Sequence, residues 1–177
     1  MLFRRQNSLI VVLVITGMAL LSTSIFVGQA SATTTKCNAI DNILPDPKCT
    51  PGAINPKVTQ DNLKDTICKS GFTKTVRPPA TVTDKIKKKV MLEYGFTDSP
   101  RNYELDHLIP LEVGGAPKDV KNLWPEPSYT KINFHDKDKF ENYLNKQVCS
   151  GKISLTDAQN EIATNWFKYW NDAGRPR

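Results

Sequence analysis

The sequence predicts an α+β fold in which a few short strands lie among packed helices and disulfide bonds stabilise the whole. Two short strand-like runs flank a turn between about residues 102 and 127. Segments with apolar residues at helical spacing precede and follow these runs. Four cysteines, an even number, follow an apolar leader, as in exported disulfide-bonded domains.

Residues 1–32 are predicted to be a secretory signal peptide. Arg4 and Arg5 precede an apolar run, and Ala30-Ser31-Ala32 fits an A-x-A cleavage site. A retained membrane anchor is the alternative, because the run from Leu9 to Val27 approaches the ~20 residues that span a bilayer. We expect cleavage after Ala32, which would leave residues 33–177 as one secreted or periplasmic domain without stable membrane association.

The charge of the chain is mildly basic. It carries 24 Lys and Arg residues against 18 Asp and Glu residues, a net charge of +6. This excess gives weak support for a polyanionic partner such as nucleic acid. We expect the exported domain to be a monomer.

The four cysteines are expected to form two disulfide bonds. A zinc site is disfavoured because the chain has no C-x-x-C pair and its two histidines lie far from the cysteines in sequence. Three pairings are possible. We favour Cys37–Cys49, which closes a short proline-rich loop, together with Cys68–Cys149, which would join an early helix to a late one.

The first half of the chain is predicted to be irregular and then helical. Four prolines exclude long regular elements from residues 33–58. A short helix is expected over about 59–69, and “FTKTVRPPATVT” predicts an extended segment stopped by Pro78-Pro79. The next helix is expected from Thr81 to Tyr94, before Gly95. Its lysine-rich face, residues 85 and 87–89, is either solvated or in contact with phosphates.

The second half is predicted to contain two strands and two helices. “YELDHLI” and “KNLWPE” have the character of short strands, and Gly114-Gly115 forms a turn between them. A helix is expected from about Phe134 to Val148. The last helix is expected from Ser154 to about residue 170, with Asp157 completing a capping box.

Residues that carry chemistry follow one another in a fixed order here. Asp106 and His107 are adjacent at the end of the first strand, Asn122 begins the second strand, and His135 lies near the start of a helix. This set, in “ELDHLIPLEVGG”, “KNLWPE” and “INFHDKD”, resembles the HNH endonucleases, the group with a ββα-metal finger. The similarity is greatest to exported bacterial members with DH-x-x-PL-x-x-GG, NLWPEP and a KD-x-x-E-N helix.

The resemblance implies a ββα-metal core at about residues 101–149 and a role for each residue of the set. His107 would be the general base, since a neutral imidazole can take the proton of a water molecule. Asp106 and His135 would bind one divalent metal ion, and Asn122 would hold the loop by bonds to its backbone. Mg²⁺ is expected first; Mn²⁺, Ni²⁺ and Zn²⁺ could replace it because imidazole accepts them.

The second metal ligand stays open at this point. Three other residues could replace His135: Asn133, Asp136 and Asp138. Glu104 lies two residues before Asp106 on the same strand face, so both carboxylates could approach one metal ion. Arg101 is a candidate phosphate contact by its position.

These features predict an exported, metal-dependent endonuclease that hydrolyses phosphodiester bonds in DNA, with RNA as a second possible substrate. Weak sequence preference is expected, because nothing in the chain looks like a base-reading element. The competing interpretation is a non-catalytic extracellular module that binds nucleic acid or a wall polymer on the same scaffold. The intact base at His107 favours the enzyme.

Overall fold

The structure is a computed structural model that describes residues 37–177. The predicted signal peptide lies outside the described residues. The described chain has an α+β fold with a two-stranded antiparallel sheet and four α-helices. In chain order the elements are α1 (Phe72–Val76), α2 (Ala80–Glu93), β1 (Tyr103–His107), β2 (Leu123–Pro127), α3 (Phe134–Cys149) and α4 (Leu155–Asp172).

The sheet pairs the end of β1 with the start of β2. In the antiparallel register Asp106 lies opposite Trp124, and Glu104 lies opposite Glu126. Lys87 of α2 donates a hydrogen bond from Nζ to the carbonyl oxygen of Tyr103 at 2.6 Å. One member of the lysine-rich run therefore anchors the start of β1 rather than facing solvent.

The main core lies between α3, α4 and the loop after β1. Apolar residues recur every three or four positions along both helices, so each helix turns one continuous stripe inward. Ser154 begins α4 as its N-cap, since its Oγ accepts a hydrogen bond from the backbone NH of Asp157 at 3.0 Å. The buried apolar residues of the two helices are Phe140, Leu144, Val148, Leu155, Ala158, Ile162, Trp166 and Trp170.

Two disulfide bonds join distant parts of the fold. They pair Cys37 with Cys49 and Cys68 with Cys149, the pairing that the sequence favoured. The second bond links the segment before α1 to the end of α3. Two disulfides are typical of extracellular proteins. Within residues 37–177, none of the helices combines the length and apolar character that crossing a membrane requires.

The segment before α2 differs from its prediction. The expected helix over 59–69 is a 3-10 helix, Gln60–Asp65, followed by turns. The expected extended segment is wrong over its first half, because Phe72–Val76 forms α1. Gly71, at φ 81°, turns the chain into α1, and Phe72 packs against the main core, so tertiary contact outweighs the local preference of the β-branched residues.

Candidate active site

A cleft of about 220 Å³ opens where β1, the loop after it and α3 meet. Most of its polar lining is acidic, and one imidazole and one guanidinium also face it. The lining residues with ionisable side chains are Arg77, Glu104, Asp106, His107, Glu112, Asp138 and Glu141. Glu104, Asp106, His107 and Asp138, all singled out by the sequence, therefore lie around one space.

His107 is held in a single tautomer. Its Nε2 lies 3.1 Å from the carbonyl oxygen of Pro117. A carbonyl oxygen can only accept a hydrogen bond, so Nε2 carries the proton and Nδ1 keeps its lone pair. Burial lowers the pKa of His107 below its usual value. The imidazole is therefore neutral near pH 7 and can accept a proton at Nδ1.

Asn122 fastens the loop that carries the acceptor of His107. Its side chain is fully buried, and its Oδ1 accepts a hydrogen bond from the backbone NH of Ile109 at 2.9 Å. Its Nδ2 donates to the carbonyl oxygens of Ile109 at 2.8 Å and Ala116 at 3.2 Å. Because Ala116 precedes Pro117, these bonds fix the position of the carbonyl group that orients the imidazole.

The same loop requires glycine at position 115, where its backbone passes close to the carbonyl group of Ile109. A Cβ atom at Gly115 would lie 1.7 Å from the carbonyl oxygen of Ile109, so no larger residue fits there. Gly114 has φ 79°, in the left-handed region that favours glycine. The Gly-Gly pair thus allows the close approach that Asn122 bridges.

Two buried hydrogen-bond donors contact the carboxylate of Asp106. Nε1 of Trp124, a fully buried residue, donates to Oδ2 at 3.2 Å. Nζ of Lys137 lies 2.9 Å from Oδ2 and 3.1 Å from Oδ1. Because Lys137 is 0% exposed, its charge acts on Asp106 through the protein interior rather than through water.

Lys137, the lysine of the KD-x-x-E-N motif, is a buried cation to which the sequence assigned no role. Its Nζ also donates to Glu141 Oε1 at 2.5 Å and to the carbonyl oxygen of His107 at 2.7 Å. Burial alone would lower the pKa of Lys137, but the surrounding carboxylates of Asp106, Glu141 and Glu126 raise it above its usual value. Lys137 therefore remains an ammonium group that holds β1 and α3 together.

Glu126 is a second buried ionisable residue, and it lacks the hydrogen bonds that Lys137 makes with the described residues. Glu126 is 0% exposed, and neither carboxylate oxygen has a hydrogen-bond partner among the described residues. Burial and the charge of Asp106 raise its pKa well above the usual value, although Lys137 opposes the shift. Glu126 is therefore protonated over a wider pH range than an exposed glutamate.

His135, the predicted second metal ligand, does not line the cleft. Its side chain is 74% exposed, and its Nδ1 lies 3.9 Å from Asp138 Oδ2. Phe134, Asp138 and Glu141, which share one face of α3, line the cleft, and His135 is not among its lining residues.

Three other residues that the sequence proposed for the site are also engaged elsewhere. Arg101 lies in a separate surface hollow, lined in part by lysines of α2. Asn133 caps α3, since its Oδ1 accepts a hydrogen bond from the backbone NH of His135 at 3.0 Å. Asp136 pairs with Lys139 at 2.8 Å. Of the residues proposed to replace His135 on α3, Asp138 is therefore the one that reaches the cleft.

The cleft is lined by carboxylates rather than by His135, and carboxylate oxygens suit a hard divalent cation. In residues 37–177 no three His, Cys, Asp or Glu side chains lie close enough together to enclose a metal ion. Mg²⁺ needs fewer, since one or two carboxylates with water and phosphate oxygens suffice. The pKa values of Glu104 and Asp138 are raised by desolvation and by the charge of Asp106, so a cation would relieve repulsion there. Asp106, Asp138 and Glu104 are the residues that could hold it.

No protein-family model, curated protein sequence or solved structure matches the chain. Any function must therefore be inferred from the cleft itself. Its main chemical feature is a neutral imidazole, fixed in one tautomer, beside five carboxylates.

Proposed function

We propose that the protein is an exported endonuclease of the HNH type that hydrolyses phosphodiester bonds in DNA with weak sequence preference. In this proposal β1, β2 and α3 form the ββα core. The observation that carries the proposal is the hydrogen bond from His107 Nε2 to Pro117, which leaves Nδ1 as a proton acceptor beside carboxylates. Phosphodiester hydrolysis needs such a base for the attacking water.

Each residue of the site has a separate role in the proposed reaction. His107 takes a proton from water at Nδ1 and returns it to solvent. Asn122 keeps the imidazole in place by fixing the loop beside Pro117. Lys137 holds the carboxylate of Asp106 against β1 from the buried side. A divalent cation bound by Asp106 with Asp138 or Glu104 would supply positive charge for the phosphate and the departing 3′ oxygen.

A cation requirement also follows from the charge of the cleft. Five carboxylates and one guanidinium line it. A phosphate group entering such a cleft is repelled unless additional positive charge is present, because the low dielectric of a partly enclosed site strengthens the repulsion. The proposed nuclease is therefore metal-dependent, with Mg²⁺ or Mn²⁺ as the hard cations that suit oxygen ligands.

Export is part of the proposal. The two disulfides and the leader sequence at residues 1–32 both support a secreted or periplasmic protein. A nuclease outside the cytoplasm does not meet the DNA of the cell that makes it, which fits weak sequence preference.

The test is plasmid nicking by the protein expressed as the full chain and purified from the exported fraction. Wild type, His107→Ala and His135→Ala are compared with Mg²⁺ or Mn²⁺, with and without chelator. We expect cleavage by wild type and His135→Ala, none with chelator, and about a 100-fold or greater loss in His107→Ala. The two variants form a matched pair, since the chain has only two histidines.

Two outcomes would contradict the proposal. Equal cleavage by wild type and His107→Ala would remove His107 as the base. Tight DNA binding without cleavage by any of the proteins would instead support the non-catalytic binding module.

A further inference from the structure

The backbone of Arg77 is restrained by α1 before it and by two prolines after it. It ends α1, and its NH donates to the carbonyl oxygen of Thr73 at 2.9 Å. Pro78, which is buried, and Pro79, which caps α2, follow directly. Proline restricts its own φ and the conformation of the preceding residue, so the chain cannot easily turn Arg77 away.

The side chain of Arg77 contributes charge to the cleft that contains His107. It lies among the lining residues, and its charge opposes the rise that desolvation causes in the pKa values of Glu104 and Asp138. Among the cleft-lining residues of the described chain, it is the one Lys or Arg side chain. Two other cations act on these carboxylates, and both have partners. Lys137 is fully buried and bound to carboxylates and to the carbonyl group of His107, and Lys87 donates to the carbonyl oxygen of Tyr103.

Among the described residues, no carboxylate forms an ion pair with Arg77 within 4.0 Å. Every salt bridge within 4.0 Å in residues 37–177 involves other residues, although the cleft around Arg77 is acidic. An exposed guanidinium that lines a cleft without pairing to its carboxylates keeps its donors available to a ligand. Its planar fork matches two oxygens of one anionic group.

We propose that Arg77 binds the non-bridging oxygens of the phosphodiester that is cleaved beside His107. This inference rests on the proposed nuclease function and adds the residue that holds the substrate. Arg77 precedes the predicted ββα core, so the motif at residues 101–149 does not contain it. The contact would bring the phosphate toward His107 and offset part of the repulsion from the five carboxylates.

The chain offers a matched control in Arg101. This second arginine is also exposed, but it lies in the separate hollow with Lys87 and Lys88. A general loss of positive charge would affect nicking equally in Arg77→Ala and Arg101→Ala. Loss of a specific phosphate contact would affect only the first.

The experiment measures single-turnover nicking by wild type, Arg77→Ala, Arg77→Lys and Arg101→Ala. We expect about a 100-fold loss in Arg77→Ala, partial recovery in Arg77→Lys because an ammonium group cannot bind two oxygens in a fork, and no loss in Arg101→Ala. Thermal denaturation should show all four proteins equally folded.

A second measurement separates binding from chemistry. In the His107→Ala background, duplex DNA binding is followed against salt concentration. Removing Arg77 should reduce the slope of the logarithm of the binding constant by about 0.9, the value for one phosphate contact. Nicking at the wild-type rate by Arg77→Ala, or an equal loss in Arg101→Ala, would overturn the inference and leave the nuclease proposal standing. Absence of nicking by wild type would overturn both.

Discussion

Asp106 and Lys137 form a buried ion pair that joins β1 to α3 at the base of the cleft. Nζ lies 2.9 Å from Oδ2, and the two side chains are 10% and 1% exposed. The same ammonium group contacts Glu141 and the carbonyl oxygen of His107. One lysine thus positions the carboxylate proposed to bind the cation and supports the backbone of the proposed base.

Replacing Lys137 with methionine should destabilise the fold strongly. Methionine has similar length but no charge, so Asp106 and Glu141 would be left buried without their partner. Breaking a buried pair in this way costs about 3–5 kcal/mol. Urea denaturation followed by circular dichroism measures the change in the free energy of unfolding.

The control for this prediction is Lys89→Met, on the surface of α2. Lys89 pairs with Glu93 at 3.7 Å and its side chain is 61% exposed. Surface pairs of this kind contribute about 0.3–0.5 kcal/mol. A similar, small effect for both variants would show that the Lys137 pair does not stabilise the interior.

The rate of cleavage should depend on pH through His107. Only the neutral imidazole can accept a proton, and burial lowers its pKa below the usual 6.5. The rate constant kcat/KM should therefore reach its plateau by about pH 7 and fall only at lower pH. Single-turnover nicking between about pH 5 and 8, with circular dichroism to verify folding, measures this. A midpoint above 7 would contradict the buried, desolvated imidazole.

The sequence predicted the elements around the cleft because their patterns are local. The apolar stripes of α3 and α4 and the Ser154 cap are each set by residues close in sequence. Proline and glycine marked the loop between the strands, and the structure places Asn122 across it.

The sequence did not predict which side chains are partners around the cleft. Lys137 lies three and seven residues before Phe140 and Leu144, so it falls on the apolar stripe of α3, a signal that it is buried. Its partner Asp106 is 31 residues away, and only the fold brings the two together. Arg77 was missed because it lies outside the motif at residues 101–149 and in a segment that was predicted to be extended. His135 was favoured by the motif, yet the phase of α3 turns Asp138 to the cleft in its place.

Asp138→Asn should weaken cation binding, whereas His135→Ala should not. Asp138 lines the cleft with Asp106 and Glu104, and His135 is largely exposed. The asparagine keeps the shape but removes one charge, so Mn²⁺ affinity should fall about tenfold or more. Titration calorimetry with Mn²⁺ alone measures affinity independently of cleavage. A loss confined to His135→Ala would restore the histidine as the second ligand.

Glu126→Gln should stabilise the protein increasingly as pH rises. The pKa of Glu126 in the folded state is raised well above 4.5 by burial and by Asp106. Below 4.5 the folded and unfolded chains both hold the proton, and Glu126 has no effect. Between 4.5 and the raised folded-state pKa only the unfolded chain ionises, so the free energy of unfolding falls with pH, by up to about 1.4 kcal/mol per pH unit. Glutamine does not ionise and removes this loss.

Urea denaturation of wild type and Glu126→Gln at several pH values, with chelator present, measures the difference between them. Taking the difference cancels the contributions of His107 and the other ionisable groups that both proteins share. Glu93→Gln, on the surface of α2, is the control substitution. If Glu126→Gln were less stable than wild type at every pH, the carboxylate would have to be ionised and bound to a partner. Glu126 would then be part of the group of ion pairs that Lys137 forms with Asp106 and Glu141.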